Sequence, residues 1–399
     1  MQLPLIIVIW PYGFRPFDWD RLELGELEKH AEVLGYELVE ALTPHFTKAY
    51  TERLQSHKVL SSSSLRSWES AFNLLASDLN RRVVILNFIK IDSLKHLFVN
   101  WVLKKSGRPV VDYYQPGIPH FNKETKFFKR FRNKLKIVFQ KNSWYSKYCR
   151  VRVNLCLLVG RFLKLNPTHR FVAGCFYENA QKSYCEAKGI KVISANSWDY
   201  TRVLRFSSQR EQSGKYAILL DGAGPMFSSD ALLMQQKVFF TSEIWYPALH
   251  DFLTKLEQIF GLTVKIAAHP KTKHIQFPQY FGGREVVSGK TLELVANAEF
   301  AITRVSTAVS YAVEFQKPIF FIYSDQLIAD PESMSGITGM ATELGTKAIN
   351  INGLLSNQDL EKLCTVNLDV YKKFKKNYLT SRFDRKPNYQ ILLDEIVNV

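Results

Sequence analysis

Short apolar runs, each ending in a small or polar residue, recur along the whole chain. In the first half they are Ile6 to Trp10, Tyr36 to Val39, Val83 to Phe88, Val110 to Tyr113, Arg170 to Cys175 and Val192 to Ser194. In the second half they are Tyr216 to Leu220, Val264 to Ala268, Phe300 to Thr303 and Pro318 to Tyr323. Runs this short, apolar throughout rather than alternating, predict strands buried on both faces, as in a parallel sheet. Helical patterns separate them. Leu22, Leu24, Leu27 and Ala31 predict a helix over Asp20 to Leu34, and Ser61 to Ser64 can cap another from Leu65. Further helices are expected over Ala180 to Lys188, from about Ala231, over Ile244 to Phe260 (stopped by Gly261), over Lys290 to Ala298, and over Gln390 to Val397. This alternation of strand and helix predicts an α/β fold with parallel sheets.

In an open α/β sheet, ligands bind outside the carboxyl ends of the strands. Three polar clusters of the second half sit where strands are expected to end. They are Asp221-Gly222 with Asp230 beyond it, His269-Pro270-Lys271, and Arg304 with Ser306-Thr307. His269 has the side chain best suited to donate a proton near neutral pH, and Pro270 would fix the turn that aims it. Ser306 and Thr307 offer hydroxyls and backbone N–H groups to an anion, and Lys271 and Arg304 offer charge. Asp230 and Asp221 are candidate catalytic carboxylates. Each has a structural alternative: a strand-end histidine for His269, and a helix N-cap for Asp230. In the first half, Arg15, Trp19 and Glu178 also follow expected strands. Core packing is the alternative for Trp19, and a first-turn helix charge is the alternative for Glu178.

Length and composition narrow this picture. The 399 residues, 46% of them hydrophobic, suffice for two domains with separate cores. Polar composition over Arg205 to Gly214 suggests a boundary there, giving domains at 1–207 and 208–375 and a C-terminal helical segment at 376–399. The formal net charge of +16 favours an anionic partner. Zinc-finger spacing and RNA-binding motifs are missing from the sequence, so no nucleic acid partner is expected. Residues 121–152 interleave Lys and Arg with Phe, Leu and Val. That pattern fits a helix lying on an anionic inner-membrane surface, or a solvated helix packed on its own domain. No apolar run reaches transmembrane length and no signal peptide is evident. Cys149, Cys156, Cys175, Cys185 and Cys364 show no metal or redox spacing, so a cytoplasmic protein with reduced thiols is expected.

The order Asp-Gly, His-Pro, Ser-Thr resembles the three motifs of bacterial sialyltransferases and their relatives that use CMP-activated ulosonic acids. The opening Trp10-Pro11-Tyr12-Gly13-Phe14-Arg15 with Asp18-Trp19, and the Leu220-Asp221…Asp230 arrangement, are more similar to retaining β-Kdo glycosyltransferases of surface-polysaccharide (O-antigen or capsule) assembly. The resemblance implies a GT-B-like fold, two Rossmann-like domains facing across a cleft. The N-terminal domain would bind the acceptor through Arg15 and Trp19. The C-terminal one would bind the donor CMP-Kdo through His269, Pro270, Lys271, Arg304, Ser306 and Thr307. It further implies a lipid-linked glycan acceptor and a carboxylate catalyst, Asp230 or Asp221; Glu178 is a further candidate from its expected strand-end position alone. No essential metal or other cofactor is expected, because no Asp-X-Asp pair stands out as a metal site and His, Ser and Thr can hold a single phosphate. In a retaining enzyme the aspartate would be a nucleophile, with Asp230 in the matching loop position. In an inverting sialyltransferase-like enzyme it would be a general base. A third reading is a non-catalytic peripheral membrane assembly protein on the same scaffold. A departure from the family pattern is the Gly222-Ala223-Gly224-Pro225-Met226-Phe227 insert, which leaves open whether Asp221 or Asp230 matches the catalytic carboxylate.

Overall fold

The computed structural model describes residues 2–44, 53–114, 143–206, 215–222, 224–225, 239–269, 278–354 and 356–398. Within 143–150 only the backbone is described. These residues fall into two compact units, one drawn from Met1–Gln115, Lys123–Trp198 and Ser381–Val399, the other chiefly from Asp199–Thr380.

The first unit is built on a parallel sheet of seven strands: β1 (Leu5–Trp10), β2 (Glu32–Glu37), β3 (Val59–Ser61), β4 (Val83–Asn87), β5 (Val110–Tyr114), β6 (His169–Ala173) and β7 (Lys191–Ala195). Their order is β3-β2-β1-β4-β5-β6-β7, the chain running outward from β1 on one side and then from β4 on the other. β1 explains why its sequence is apolar throughout. Leu5, Ile7 and Ile9 pack with Trp68, Phe72 and Val99 on one face, while Ile6 and Val8 pack with Leu86, Phe171 and the C-terminal Ile391, Leu392 and Ile396 on the other. A strand covered on both faces has no position for a solvated side chain.

The single helix expected over Asp20 to Leu34 is replaced by two short ones, α1 (Pro16–Arg21) and α2 (Leu24–Leu27), and β2 already begins at Glu32. Glu23 breaks the helix. Its backbone is left-handed (φ 58°), and its buried carboxylate accepts a hydrogen bond from the Tyr389 N–H at 2.7 Å. Leu22, Leu24, Leu27 and Ala31 are nevertheless all buried in one cluster, so the apolar spacing reported burial correctly and helix length wrongly. Later helices of this unit are α3 (Leu94–Lys105), α4 (Ser143–Phe162) and α5 (Cys175–Glu186).

The second unit holds a six-stranded parallel sheet: β8 (Tyr216–Leu220), β9 (Thr263–Ala267), β10 (Val286–Val287), β11 (Ala301–Thr303), β12 (Ile319–Tyr323) and β13 (Ala348–Asn350), in the order β10-β9-β8-β11-β12-β13. Helix α6 (Ser242–Phe260) covers it with Leu249, Leu253 and Leu256, and ends at Gly261, whose φ of 58° suits glycine. The short helix α7 (Val309–Glu314) follows β11.

The unit boundary lies at Trp198 and Asp199, ahead of the polar stretch where composition placed it, and residues from Ser381 return to the first unit instead of forming a separate segment. The physical reason is packing. Tyr200 and Val203, in the helix before the polar stretch, already bury in the second core. At the other end, the Asn388 side chain exchanges hydrogen bonds with the Asn196 backbone at 2.8 and 2.9 Å, and Ile391, Leu392, Ile396 and Val397 are buried against the first sheet.

Candidate functional site

The carboxyl edge of the second sheet is set by register. Leu220, Ala267, Thr303 and Phe321 pair across the neighbouring strands β9, β8, β11 and β12 as one row. The next row is therefore Ala268, Asp221, Arg304 and Ile322, with His269 one residue further out. The Asp221 N–H still donates to the Ala267 carbonyl at 3.1 Å, and the Ala268 N–H to the Val287 carbonyl at 2.9 Å, so both backbones leave the sheet in an anchored direction. Adjacent strands lie about 4.8 Å apart, so the roots of His269, Asp221 and Arg304 span two strand spacings, roughly 10 Å. Three of the sequence-derived candidates are thus brought to one edge by strand order.

Arg304 is the best-defined group of this edge. Its guanidinium carbon lies 4.6 Å from the centre of the Phe240 ring and 5.3 Å from that of Trp245. Its Nη2 donates to the carbonyls of Gly222 and Gly224 at 3.4 and 3.5 Å. Burial lowers the guanidinium pKa, and the charges of Asp221 and then Tyr246 offset only part of that. The loop after β8 needs its glycines for this approach, since a β-carbon on Gly222 would stand 2.9 Å from Nη2 and one on Gly224 3.0 Å from it. Arg304 is thus a cation resting on a pair of touching rings, Phe240 and Trp245, and turned toward the loop that carries Asp221, a geometry its sequence position did not reveal.

Ser306 and Thr307 lie in the turn between β11 and α7. The Ser306 Oγ accepts from the Ala308 N–H at 3.2 Å, and the Thr307 carbonyl accepts from the Ser310 N–H at 3.1 Å and its hydroxyl at 2.8 Å. Helix α7 is only six residues long and is anchored from behind. Its buried Tyr311 hydroxyl donates to Asp199 Oδ1 at 3.1 Å and accepts from Arg202 Nη1 at 3.2 Å. Burial first, and then the Asp199 charge, push the Tyr311 pKa upward, so the phenol stays protonated and can donate. The hydroxyls of Thr303 and Ser324, at the ends of β11 and β12, are buried without a hydrogen-bond partner among the described residues. Asp230, Pro270 and Lys271 lie outside the described residues.

The first unit treats its candidates differently. Arg15 makes a bidentate pair with the buried Asp18, Nε to Oδ2 at 2.8 Å and Nη2 to Oδ1 at 2.9 Å, and so closes the first turn of α1. Trp19 packs edge-on to Phe14 with ring centres 5.4 Å apart, against Gly35, where a β-carbon would come within 3.1 Å of the indole. Glu178 does not stand at a strand end. β6 stops at Ala173, and Glu178 lies in the first turn of α5, accepting a hydrogen bond from the Ser381 hydroxyl.

Two features of the first sheet's carboxyl edge escaped the sequence. Glu37, buried at the end of β2, accepts from the Phe14 N–H at 3.0 Å, from Arg53 at 3.1 Å and from the Ser61 hydroxyl. Beside it runs a row of rings. Trp10 lies 5.1 Å from Phe88, Phe88 lies 5.3 Å from Tyr113, and the Arg21 guanidinium sits 4.3 Å over Trp198. The rings of this row come from β1, from just past β4, from β5 and from the stretch after β7, so only strand order unites them. Among the described residues no group of three or more His, Cys, Asp or Glu side chains is placed to hold a metal ion.

No family model matches the sequence, and no curated protein matches it. Solved structures do match in fold. The wall teichoic acid polymerase TagF aligns with a TM-score of 0.53 at 11% identity, over 99% of this chain and 89% of that one. A putative UDP-N-acetylglucosamine 2-epimerase from Listeria monocytogenes aligns with a TM-score of 0.51 at 11% identity, over 99% and 96%. The fold is GT-B-like, with two Rossmann-like units, each carrying its own parallel sheet.

Proposed function

We propose that the chain is a glycosyltransferase that moves a sugar from a nucleotide-activated donor to a glycan hydroxyl. The donor we propose is CMP-Kdo and the acceptor a lipid-linked surface polysaccharide. The observation that carries this reading is the row at the carboxyl edge of the second sheet, where Asp221, His269 and Arg304 follow the neighbouring strands β8, β9 and β11. An acid, an imidazole and a guanidinium gathered at the ligand-binding edge of a Rossmann-like sheet suit a leaving phosphate.

In the retaining form of the reaction, the Asp230 carboxylate attacks the anomeric carbon. The bond from that carbon to the phosphate oxygen breaks, and its electron pair stays on CMP. His269, as the imidazolium, passes its proton to that oxygen and is left neutral, and Ser306, Thr307 and Lys271 hold the phosphate. The acceptor hydroxyl then attacks the same carbon, Asp230 departs, and His269 receives the hydroxyl proton. Asp221 keeps the loop in shape with Arg304, whose charge also offsets that of the sugar carboxylate. Acceptor sugars would lie on the first unit, where Tyr12 and the Trp10 row offer ring faces.

The test is donor turnover with CMP-Kdo, CMP-sialic acid and UDP-N-acetylglucosamine, followed by intact-mass measurement. Turnover of CMP-Kdo with a one-sugar adduct mapped to Asp230 supports the proposal. An adduct on Asp221 reassigns the nucleophile, and an inverted product without adduct makes the aspartate a general base. Turnover of the UDP-sugar alone replaces the donor, and no turnover of any of the three removes the transferase reading.

A further inference from the structure

We propose that the outer face of α4 is a docking surface for an anionic lipid bilayer. The proposal does not depend on the transferase reading. Helix α4 packs inward with Cys156 and Gly160, which meet Leu97, Trp101 and Ile91, and a β-carbon on Gly160 would already stand 3.0 Å from Ile91. At about 100° per residue, the side of the helix opposite Cys156 and Gly160 carries Val151, Leu155, Leu158 and Phe162 within a band of roughly 60°. These four are 66%, 60%, 64% and 84% exposed. A helix fully committed to its own domain would present polar residues there.

The charges on the helix agree with this face. On the same wheel Arg152 and Arg161 stand about 90° to either side of the apolar band, both exposed, and Lys164 follows just past the helix end. From Thr125 to Tyr177 the sequence contains thirteen Lys and Arg and no Asp or Glu, most of the chain's excess of +16. An aliphatic band with a cationic side on each flank matches the boundary between acyl chains and anionic headgroups. Charge argues against the other occupants. A second copy of this face, or residues 126–141 of the same chain, would bring like charge onto Arg152 and Arg161. Nucleic acid would complement the arginines and leave the leucines without a partner. Among the described residues no helix is long and apolar enough to cross a membrane, so the contact would be peripheral.

The experiment is flotation of the full-length protein with vesicles of phosphatidylcholine alone and of phosphatidylcholine with phosphatidylglycerol. Binding is expected to the anionic vesicles, to weaken with rising salt, and to fall at least tenfold in the Leu155→Asp/Leu158→Asp variant. The Arg152→Glu/Arg161→Glu variant alters only exposed side chains and keeps the test interpretable if the first variant unfolds. It should bind at least 25-fold more weakly, about fivefold per cation lost. Equal binding of either folded variant and the parent overturns the proposal, as does failure of the parent to float with anionic vesicles. A change of oligomeric state in the variants with unchanged flotation also overturns it, and assigns the face to a second copy.

Discussion

The carboxyl edges of the two sheets both collect polar and aromatic side chains, and they spend them differently. In the first unit the candidate groups are engaged in holding the fold together. Arg15 is held by Asp18, Glu178 by Ser381, and Glu37 accepts three hydrogen bonds. At the second edge Asp221, His269 and Arg304 occupy neighbouring strand ends, and Arg304 rests on aromatic faces and on two weak carbonyl contacts rather than in a bidentate pair. The difference teaches where to look for chemistry. A side chain fully engaged by other protein groups is fixed for stability, whereas a cation resting on rings at a strand end retains donors that a ligand can use.

The largest expected effect tests this division directly. Arg304→Met keeps the bulk against Phe240 and Trp245 and removes the charge. It should lower donor turnover by about 10²–10³-fold, the scale of losing a preorganised cationic donor. Glu178→Gln should leave turnover within threefold. Initial-rate measurements on both decide it, and equal losses would erase the distinction between the edges.

Next in size, Arg15→Met should destabilise the first unit by about 3 kcal/mol, because it strands the buried Asp18 carboxylate. Chemical denaturation reads this. A stable variant with a raised acceptor KM would instead return Arg15 to the acceptor site. A smaller effect separates two glycines. Gly35→Ala places a β-carbon 2.7 Å from the Phe14 ring and should cost about 1–3 kcal/mol of stability. Gly222→Ala displaces the flexible end of Arg304 and should show mainly in turnover. Thermal melts beside kinetics compare them.

The smallest expected effect is a pH dependence confined to the first unit. Burial, then Lys191 and Arg82, lower the pKa of His169 below its ordinary 6.5. The unfolded chain therefore binds the proton more tightly. The stability from this group is present above pH 6.5 and is lost as pH falls below that value through the folded-state pKa. His169→Gln should flatten the stability profile between pH 7 and 5. An unchanged profile would show that other groups govern the acid limb.

The strands were legible because burial on both faces writes an apolar run, as in Leu5–Trp10 and Tyr216–Leu220, and polar residues mark where each run leaves the sheet. Strand order was not legible. The adjacency of His269, Asp221 and Arg304 depends on β9-β8-β11, an arrangement that local pattern does not encode. Helix length was misread at Asp20 to Leu34, since a left-handed residue such as Glu23 leaves the apolar spacing intact while breaking the helix. The role of Glu178 was ambiguous because a carboxylate just past a strand looks the same as one in the first turn of the next helix. Only the position of Gly174 ahead of α5, with its positive φ, decides between them. The seat of Arg304 had one trace in the sequence, the Gly222 and Gly224 spacing, whose meaning depends on a partner 80 residues away.

The first unit takes its last buried layer from residues beyond Ser381, while the second is chiefly one uninterrupted stretch. During synthesis the order of completion therefore reverses the order of appearance. The sheet that is made first must wait, with one face covered only in part by Phe14, Leu22, Leu24 and Leu27, until Ile391, Leu392 and Ile396 are made. The later unit has every residue of its core available before that. A lesion beyond Ser381 would thus act on the part of the chain made first, and a released chain truncated after Thr380 would carry a complete second unit beside an incomplete first.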